Sequence, residues 1–586
     1  MRISKQAVSL DTLSERGTEI TVGLEVVNRL TRKLHEENIV YCHWKSNEHL
    51  LEGMLGTTDL DILVERNTCR ALARILSETG FKRFAARPWR AYPAIEDYLA
   101  IDPTTGKLVH LHLHYQLTVG EKHLKGYRLP WEDLILSNRQ FNQKENIYVA
   151  DPNVEMILLL VRAALKLRTR DRVFAWLGRP YFRGGMLKEF RWLKERTQME
   201  IAVETAQGIL GKKAAGLVRS MITAQPSLRL LHAFRKRTDR RLRLYRTYGK
   251  TEGILRRWLR ELYWLLGAVN KRYWRAPAPF SRSAINGGLV VALVGPDGSG
   301  KSTLTKALYS WLSWKVDVLP IYFGSGDGPS SVIRWPLLLA FNLVKRNGLL
   351  RSRRDLAAKK HKHDSPQGEP QKPAYCPQRT VAIRRRQKPM AEAEAAMSRR
   401  RIAAGLASGS ENGKLPYGRK FPAPCYGKLQ SWVRRLKALA KVPWALVLSY
   451  EKRRKLRGAL RARNSGMVVI CDRYPQCQVM GFNDGPLLSD WLDRPGGLLR
   501  AVAQWEFTPY HWSEIYPPDL VIKLDVSPEI AIRRKPDDSS IERIRLRIDA
   551  IKSLRYPATT EVVTIDANDV VNQVLLKVKR VIWERI

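Results

Sequence analysis

Gly295 to Thr303, GPDGSGKST, fits the spacing GxxxxGK[ST], and its flanks give the match its meaning. The apolar run Leu289 to Val294 (LVVALV) before it reads as a buried strand, and Lys301 to Leu312 after it has helical apolar spacing. Strand, glycine loop and helix start therefore follow one another in the order a phosphate cradle requires. Gly295, Gly298 and Gly300 let backbone N–H groups of the loop, including those of Asp297 and Ser299, close around a β-phosphate. Lys301 is placed to reach the β- and γ-phosphates, Ser302 offers a hydroxyl ligand to Mg²⁺, and Thr303 continues the helix start. The ligand expected of this stretch is a nucleoside triphosphate with its magnesium.

Outward from the loop, Met467 to Cys471 (MVVIC), Leu520 to Leu524 and Val562 to Ile565 read as further buried strands, with a helix over Leu429 to Arg463 and a closing helix from Asp569. Apolar runs separated by helical stretches argue a parallel, doubly wound sheet. The phosphate-binding unit is expected to begin near Ser283, after the linker Ala276-Pro277-Ala278-Pro279. Between 350 and 425 the chain turns to Arg, Lys, Gln, Pro and Ala with few large apolar residues, which reads as a basic, disordered insert. Residues 341 to 466 hold about 32 Lys/Arg against about 7 Asp/Glu, so more than half of the formal net charge of +46 sits there. Such a charge favours polyanionic partners: nucleotides, nucleic acid through the insert, or an anionic membrane surface. Six scattered cysteines without a CxxC pair, and no apolar segment long enough to span a bilayer, point to the reducing cytoplasm.

A phosphate loop that supports transfer needs a second acid near the metal and cations around the moving phosphoryl group. Asp472-Arg473-Tyr474, at the C-terminal end of MVVIC, supplies both charge types at the sheet edge where ligands bind. Asp472 is the candidate for the metal shell or the acceptor, and Arg473 for an acceptor phosphate. The ordered series GPDGSGKST, VVICDRYP, PDLVIKLDVSPEIAIRRK and VVTIDA resembles thymidylate kinases and related nucleoside monophosphate kinases, over about residues 287–345 and 428–586. The resemblance implies ATP as donor with Mg²⁺, a small phosphorylated acceptor, and a lid arginine set to which Arg533 and Arg534 correspond by position, with Arg543 and Arg547 as further candidates. It also implies a substrate-phosphate arginine near Lys452, Arg453 and Arg454, and places Asp297 facing the acceptor. Where thymidylate kinases carry an Arg-Glu-Pro-Gly-Gly-type loop, this chain has IYFGSGDGPSS, Ile321 to Ser331, which departs from thymidylate specificity. The pattern is similar as well to thymidylate kinase-like proteins associated with bacterial surface polysaccharide synthesis. A polynucleotide 5′-kinase is the alternative within the same chemistry, and an ATP-binding scaffold at a membrane or assembly surface is the non-enzymatic one. Monomer and homodimer both stay open.

In the first unit, residues 20–150, Asp59 and Asp61 of GTTDLDILV fall on one face of a strand and are candidate metal ligands. With YCHWKSNEHL, Tyr41 to Leu50, this resembles the DNA polymerase β-like nucleotidyltransferases, which implies an α+β domain. The family's third carboxylate is missing from the later strand VHLHLHYQL, where His110, His112 and His114 share a face; His112 or His114 is a candidate substitute metal ligand, with core or surface histidines the favoured expectation. Strands are also expected at Tyr98 to Asp102 and Leu108 to Leu117, around the turn Pro103 to Gly106. Residues 151–280 read as a helical connector. There Trp258, Trp264 and Trp274 are expected to pack in a helical core, with interfacial membrane contact as the alternative. The fold class expected is thus α/β: an α+β nucleotidyltransferase-like domain, a helical connector, and a P-loop kinase unit over 283–586.

Overall fold

The structure is a computed structural model describing residues 23–168, 171, 181–324, 426–479, 485–493, 496–536 and 541–586; within the helix that opens at Tyr426, side chains are described from residue 442. The basic insert 350–425 and residues 325–331 of the IYFGSGDGPSS loop lie outside the described residues.

The first unit is built on strands whose side chains alternate between an apolar core and a polar face. They are β1 (Tyr41–His43), β2 (Asp59–Val64), β3 (Lys82–Ala86), β4 (Ile95–Ile101), β5 (Leu108–His114), the hairpin β6 (Leu117–Val119) and β7 (Tyr127–Leu129), β8 (Gln140–Asn142) and β9 (Ile147–Val149). Leu60 and Ile62 of β2 and Leu111 and Leu113 of β5 bury against helices α1 (Glu25–Glu36) and α2 (Cys69–Glu78). Asp59, Asp61, His110, His112 and His114 therefore share the opposite face. Strand β4 starts earlier than the expected Tyr98, which brings Asp97 into register with His112. It ends at Ile101 because Asp102 leaves the strand to hold the turn, accepting from the Thr105 amide at 2.8 Å and hydroxyl at 2.7 Å.

Helix α3 (Pro152–Lys166) is opened by Asp151, whose side chain accepts from the Asn153 and Val154 amides, with proline at the first helical position. The apolar faces of α3 and of the helices Gly185–Lys194, Met199–Leu210, Lys212–Ala224 and Leu228–Leu242 share one core. Helix α4 (Lys250–Val269) behaves differently and corrects the expectation of core packing for its tryptophans. Trp258 and Trp274, just beyond the helix, are each 63% exposed, while Trp264 lies against the Arg90 guanidinium, 3.6 Å from the ring centre. The physical reason lies on the inward side of α4. Arg257 pairs with Glu121 and Arg260 donates to the Ala91 carbonyl, so polar contacts seat the helix and leave its apolar stripe outward.

Strand β10 (Arg282–Ala284), on which the expected Ser283 boundary falls, adds to the first sheet beside β3. The result is a mixed eight-stranded sheet of order β10-β3-β4-β5-β2-β1-β9-β8. A second sheet follows from β11 (Leu289–Val294), β12 (Val318–Tyr322), β13 (Val468–Asp472), β14 (Leu520–Asp525) and β15 (Glu561–Asp566). Its order is β12-β13-β11-β14-β15, and every pair is parallel. All residues of β11 and β13 are buried, as a parallel sheet covered on both faces requires. The covering helices are α5 (Lys301–Leu312), α6 (Tyr426–Asn464), α7 (Gly497–Ile515), α8 (Pro528–Arg534), α9 (Ile541–Ser553) and α10 (Val571–Arg585). Strand β12 is apolar in sequence but carries Pro320 at its centre, which argues against a strand until its edge position is known; an edge tolerates the missing N–H. The two sheets are joined through α10, where Trp583 stacks on Phe84 at 6.1 Å and its carbonyl accepts from Lys82 at 2.6 Å.

Candidate functional site

The phosphate loop lies between β11 and α5, where the parallel sheet presents its C-terminal edge. Gly298 is fixed by two constraints at once: its φ is +85°, and a Cβ there would stand 2.4 Å from the Ala531 carbonyl oxygen of α8. Lys301, the first residue of α5, is buried and folds back over the loop, donating to the Pro296 carbonyl at 2.7 Å. An ammonium held across the concave side of the loop lies where a bound phosphate would need it. Ser302 Oγ donates to Asp472 Oδ2 at 2.6 Å, while Asp472 Oδ1 is buried with no hydrogen-bond partner among the described residues. A buried orphan carboxylate oxygen beside a hydroxyl is a donor set suited to a hard cation, so the residues present fit Mg²⁺.

Arg473 follows in left-handed backbone, φ 69°, a conformation costly for a side chain with a Cβ and enriched at functional sites. That turn directs its guanidinium to Asp297 Oδ1, 2.6 Å away, and Arg547 of α9 pairs with the other oxygen of the same carboxylate. Burial alone would raise the Asp297 pKa, but Arg473, Lys301 and Arg547 outweigh it and hold the carboxyl well below the usual range. Arg534 spends its donors elsewhere, on the Ala567 carbonyl at 2.8 Å and on those of Asn568 and Asp569, where it ties α8 to the turn after β15. Arg533 is exposed on the same helix end. Among the lid candidates, Arg547 has its guanidinium on the loop carboxylate. Lys452 is buried, with Nζ 3.0 Å from the Tyr510 hydroxyl, and Arg453 lies over Trp505 and Trp512.

In the first unit Asp59 and Asp61 are not an open carboxylate pair. Asp59 accepts from His110 at 2.9 Å and pairs with Lys315, which follows α5; Asp61 pairs with Lys45 at 2.5 Å and lies 3.1 Å from His114 Nε2. Asp97 joins them from β4, between His110 and His112, with Arg282 of β10 at 2.9 Å. Burial raises the pKa of all three carboxyls, but the histidine hydrogen bonds and the cations reverse its effect and keep them ionised. Asp97, Arg282 and Lys315 escape sequence reasoning: each comes from a different strand or helix end, and no spacing connects them to the DxD pair. An oxygen-rich, near-octahedral shell is what Mg²⁺ demands, and three imidazoles with two lysines on the carboxylates do not provide it. The residues present do not fit Mg²⁺ here, and no nucleotidyl-transfer step follows from them.

No protein-family model matches the chain. It is 29% identical over 187 residues to the uncharacterized ATP-binding protein YghR of Escherichia coli strain K12, a match covering 30% of this chain and 73% of that relative. It is 27% identical over 249 residues to the uncharacterized ATP-binding protein YghS of the same strain, covering 42% of this chain and again 73% of the relative.

Proposed function

We propose that the parallel-sheet unit binds ATP with Mg²⁺ and transfers its γ-phosphoryl group to a small phosphorylated acceptor of the nucleotide type. The observation that carries this reading is the Ser302–Asp472 contact, which leaves one buried carboxylate oxygen without a partner beside the phosphate loop. The ATP-binding names of YghR and YghS support the same donor for this chain.

Ser302 and Asp472 are the residues that would hold Mg²⁺, whose charge, when bound, offsets that of the β- and γ-phosphates. Lys301 neutralises the phosphate oxygens from the loop side. Arg547 and Arg473 are held ready by Asp297, which spaces two guanidiniums at the mouth of the loop; exchanging Asp297 for phosphate oxygens lets both stabilise the charge in flight. In the transfer, the bond from the γ-phosphorus to its bridging oxygen breaks, a bond to the acceptor oxygen forms, and ADP leaves. The test is Lys301→Ala: ATP consumption should fall to background while the far-ultraviolet circular dichroism spectrum is retained, and undiminished turnover overturns the assignment. Supplying nucleoside monophosphates, sugar phosphates and 5′-hydroxyl oligonucleotides in turn identifies the acceptor. A polynucleotide acceptor would bring steep loss of binding with added salt.

A second reading, compatible with the first, is attachment to an anionic membrane surface through α4. It rests on the outward stripe of Leu255, Trp258, Leu259, Leu262 and Leu265, which continues into Tyr273 and Trp274, in a chain of formal net charge +46.

A further inference from the structure

The misfit between Mg²⁺ and the first unit's polar face has a positive counterpart. His112 Nε2 is 3.0 Å from Asp97 Oδ1 while its Nδ1 faces Asp61, so the ring bridges the two carboxylates. His112 Nδ1 and Asp61 Oδ1 are 3.4 Å apart, and His114 Nε2 is 3.1 Å from the same oxygen. Ligand atoms of Asp61, His112 and His114 all lie within 4.8 Å of one another. Neighbouring donors around a tetrahedral ion with bonds near 2.0–2.1 Å stand about 3.3 Å apart, so the spacing already suits such an ion. His114 Nε2 donates to Asp61 Oδ1, which leaves its buried Nδ1 as a lone pair with no hydrogen-bond partner among the described residues. The Lys45 ammonium is 2.5 Å from Asp61 Oδ1, and a divalent cation held by these atoms would displace it together with the imidazole protons that face Asp61.

We propose that Asp61 Oδ1, His112 Nδ1 and His114 Nε2 form a binding site for a divalent cation of the Zn²⁺ class, with Asp97 orienting His112 and with Lys45 as the competing internal cation. Two neutral imidazoles and one carboxylate are the donor set that borderline-soft ions select over Mg²⁺, and the Asp97–His112 contact is the outer hydrogen bond that commonly fixes a metal-bound imidazole. The three ligands leave a fourth tetrahedral position, reached by Lys45 and partly open to solvent, as in sites that bind a further ligand or water. This site lies in the first unit and does not depend on phosphoryl transfer in the second.

The experiment uses the full-length chain, stripped with EDTA and dialysed against Zn²⁺ or Co²⁺ with a large excess of Mg²⁺ present. One ion per chain should be retained that His112→Ala does not retain, and Co²⁺ should give the intense visible bands of a tetrahedral site. Lys45→Met, which removes the competitor, should tighten binding, whereas Asp97→Asn should weaken it by about tenfold or more. Asp472→Asn should leave it unchanged. The proposal is overturned by equal metal retention in wild type and His112→Ala, by displacement of the ion by Mg²⁺, or by weaker binding in Lys45→Met. If His112→Ala fails to fold, the wild-type Co²⁺ spectrum decides: octahedral bands, or none, reject the site.

Discussion

Asp472 commits one oxygen to Ser302 and leaves the other buried and unpartnered, so its side chain is under-satisfied among the described residues. Replacing it by asparagine keeps the volume and the serine contact but removes the charge a hard cation needs. Asp472→Asn should therefore lower ATP turnover by about a hundredfold or more, with the melting temperature unchanged or raised. A loss of turnover matched by a fall in melting temperature would mean that Asp472 is structural. Glu155 poses the converse residue-scale problem. Burial, reinforced by neighbouring Glu189, pushes its pKa up to about 7 from 4.5, although it accepts from the Asn47 amide nitrogens of backbone and side chain at 3.1 and 2.7 Å. A carboxyl whose folded pKa is raised holds its proton longer in the native state, so stability is fullest below the unfolded pKa and declines as pH rises toward the folded one. The whole protein should lose stability between pH 4.5 and about 7 through this group, on the order of 3 kcal/mol. In Glu155→Gln that part of the decline should vanish from melting curves across the range; an unaltered slope would show that Glu155 does not carry it.

At the scale of elements, strong local signals were legible and assembled ones were not. Leu289–Val294 and Lys301–Leu312 read directly because an apolar run and a helical period bracket the loop, and Asp59–Val64 read because its charges alternate with large apolar residues. Strand β12, with Pro320 at its centre, and the early start of β4 did not read, since edge position and turn capping are tertiary facts. The same holds for the site. Asp472 and Arg473 could be placed from their strand end, but the gathering of Asp59, Asp97, His110, Arg282 and Lys315 depends on strand order and on a helix from the other sheet. Helix α4 shows how a periodic pattern can mislead. Its stripe has core spacing, yet Arg257 and Arg260 hold the opposite side against the first unit, and the stripe faces out. Vesicles containing phosphatidylglycerol should co-sediment the protein, neutral phosphatidylcholine vesicles should not, and Trp258→Ser with Leu262→Ser should lose most of the bound fraction. Equal binding of both vesicle types, or an unaffected double variant, rejects the membrane reading of α4.

At the scale of the whole molecule, a continuous path of contacts connects the phosphate loop with the first sheet. Helix α5 starts at Lys301 and Ser302, carries Trp311 onto Trp583 at 6.4 Å, and is followed by Lys315, which reaches Asp59. Helix α10 extends the seam, with Lys82 donating to the Trp583 carbonyl and Lys579 to the Gly106 carbonyl at 3.0 Å. Because Phe84, Leu99 and Leu108 share one apolar cluster with α5, β11 and α10, neither sheet can open there without exposing the other. Ligand at about a hundred times its dissociation constant stabilises the native state by about 2.7 kcal/mol. If the seam transmits that gain, ATP with Mg²⁺ should slow hydrogen exchange in β2 and β5 as well as in the phosphate loop. Trp583→Ala, expected to cost about 3–5 kcal/mol through loss of a large buried side chain, should confine the protection to the parallel-sheet unit. Protection confined to that unit in the wild type would show that the seam is a passive contact and that the two sheets respond to ligand independently.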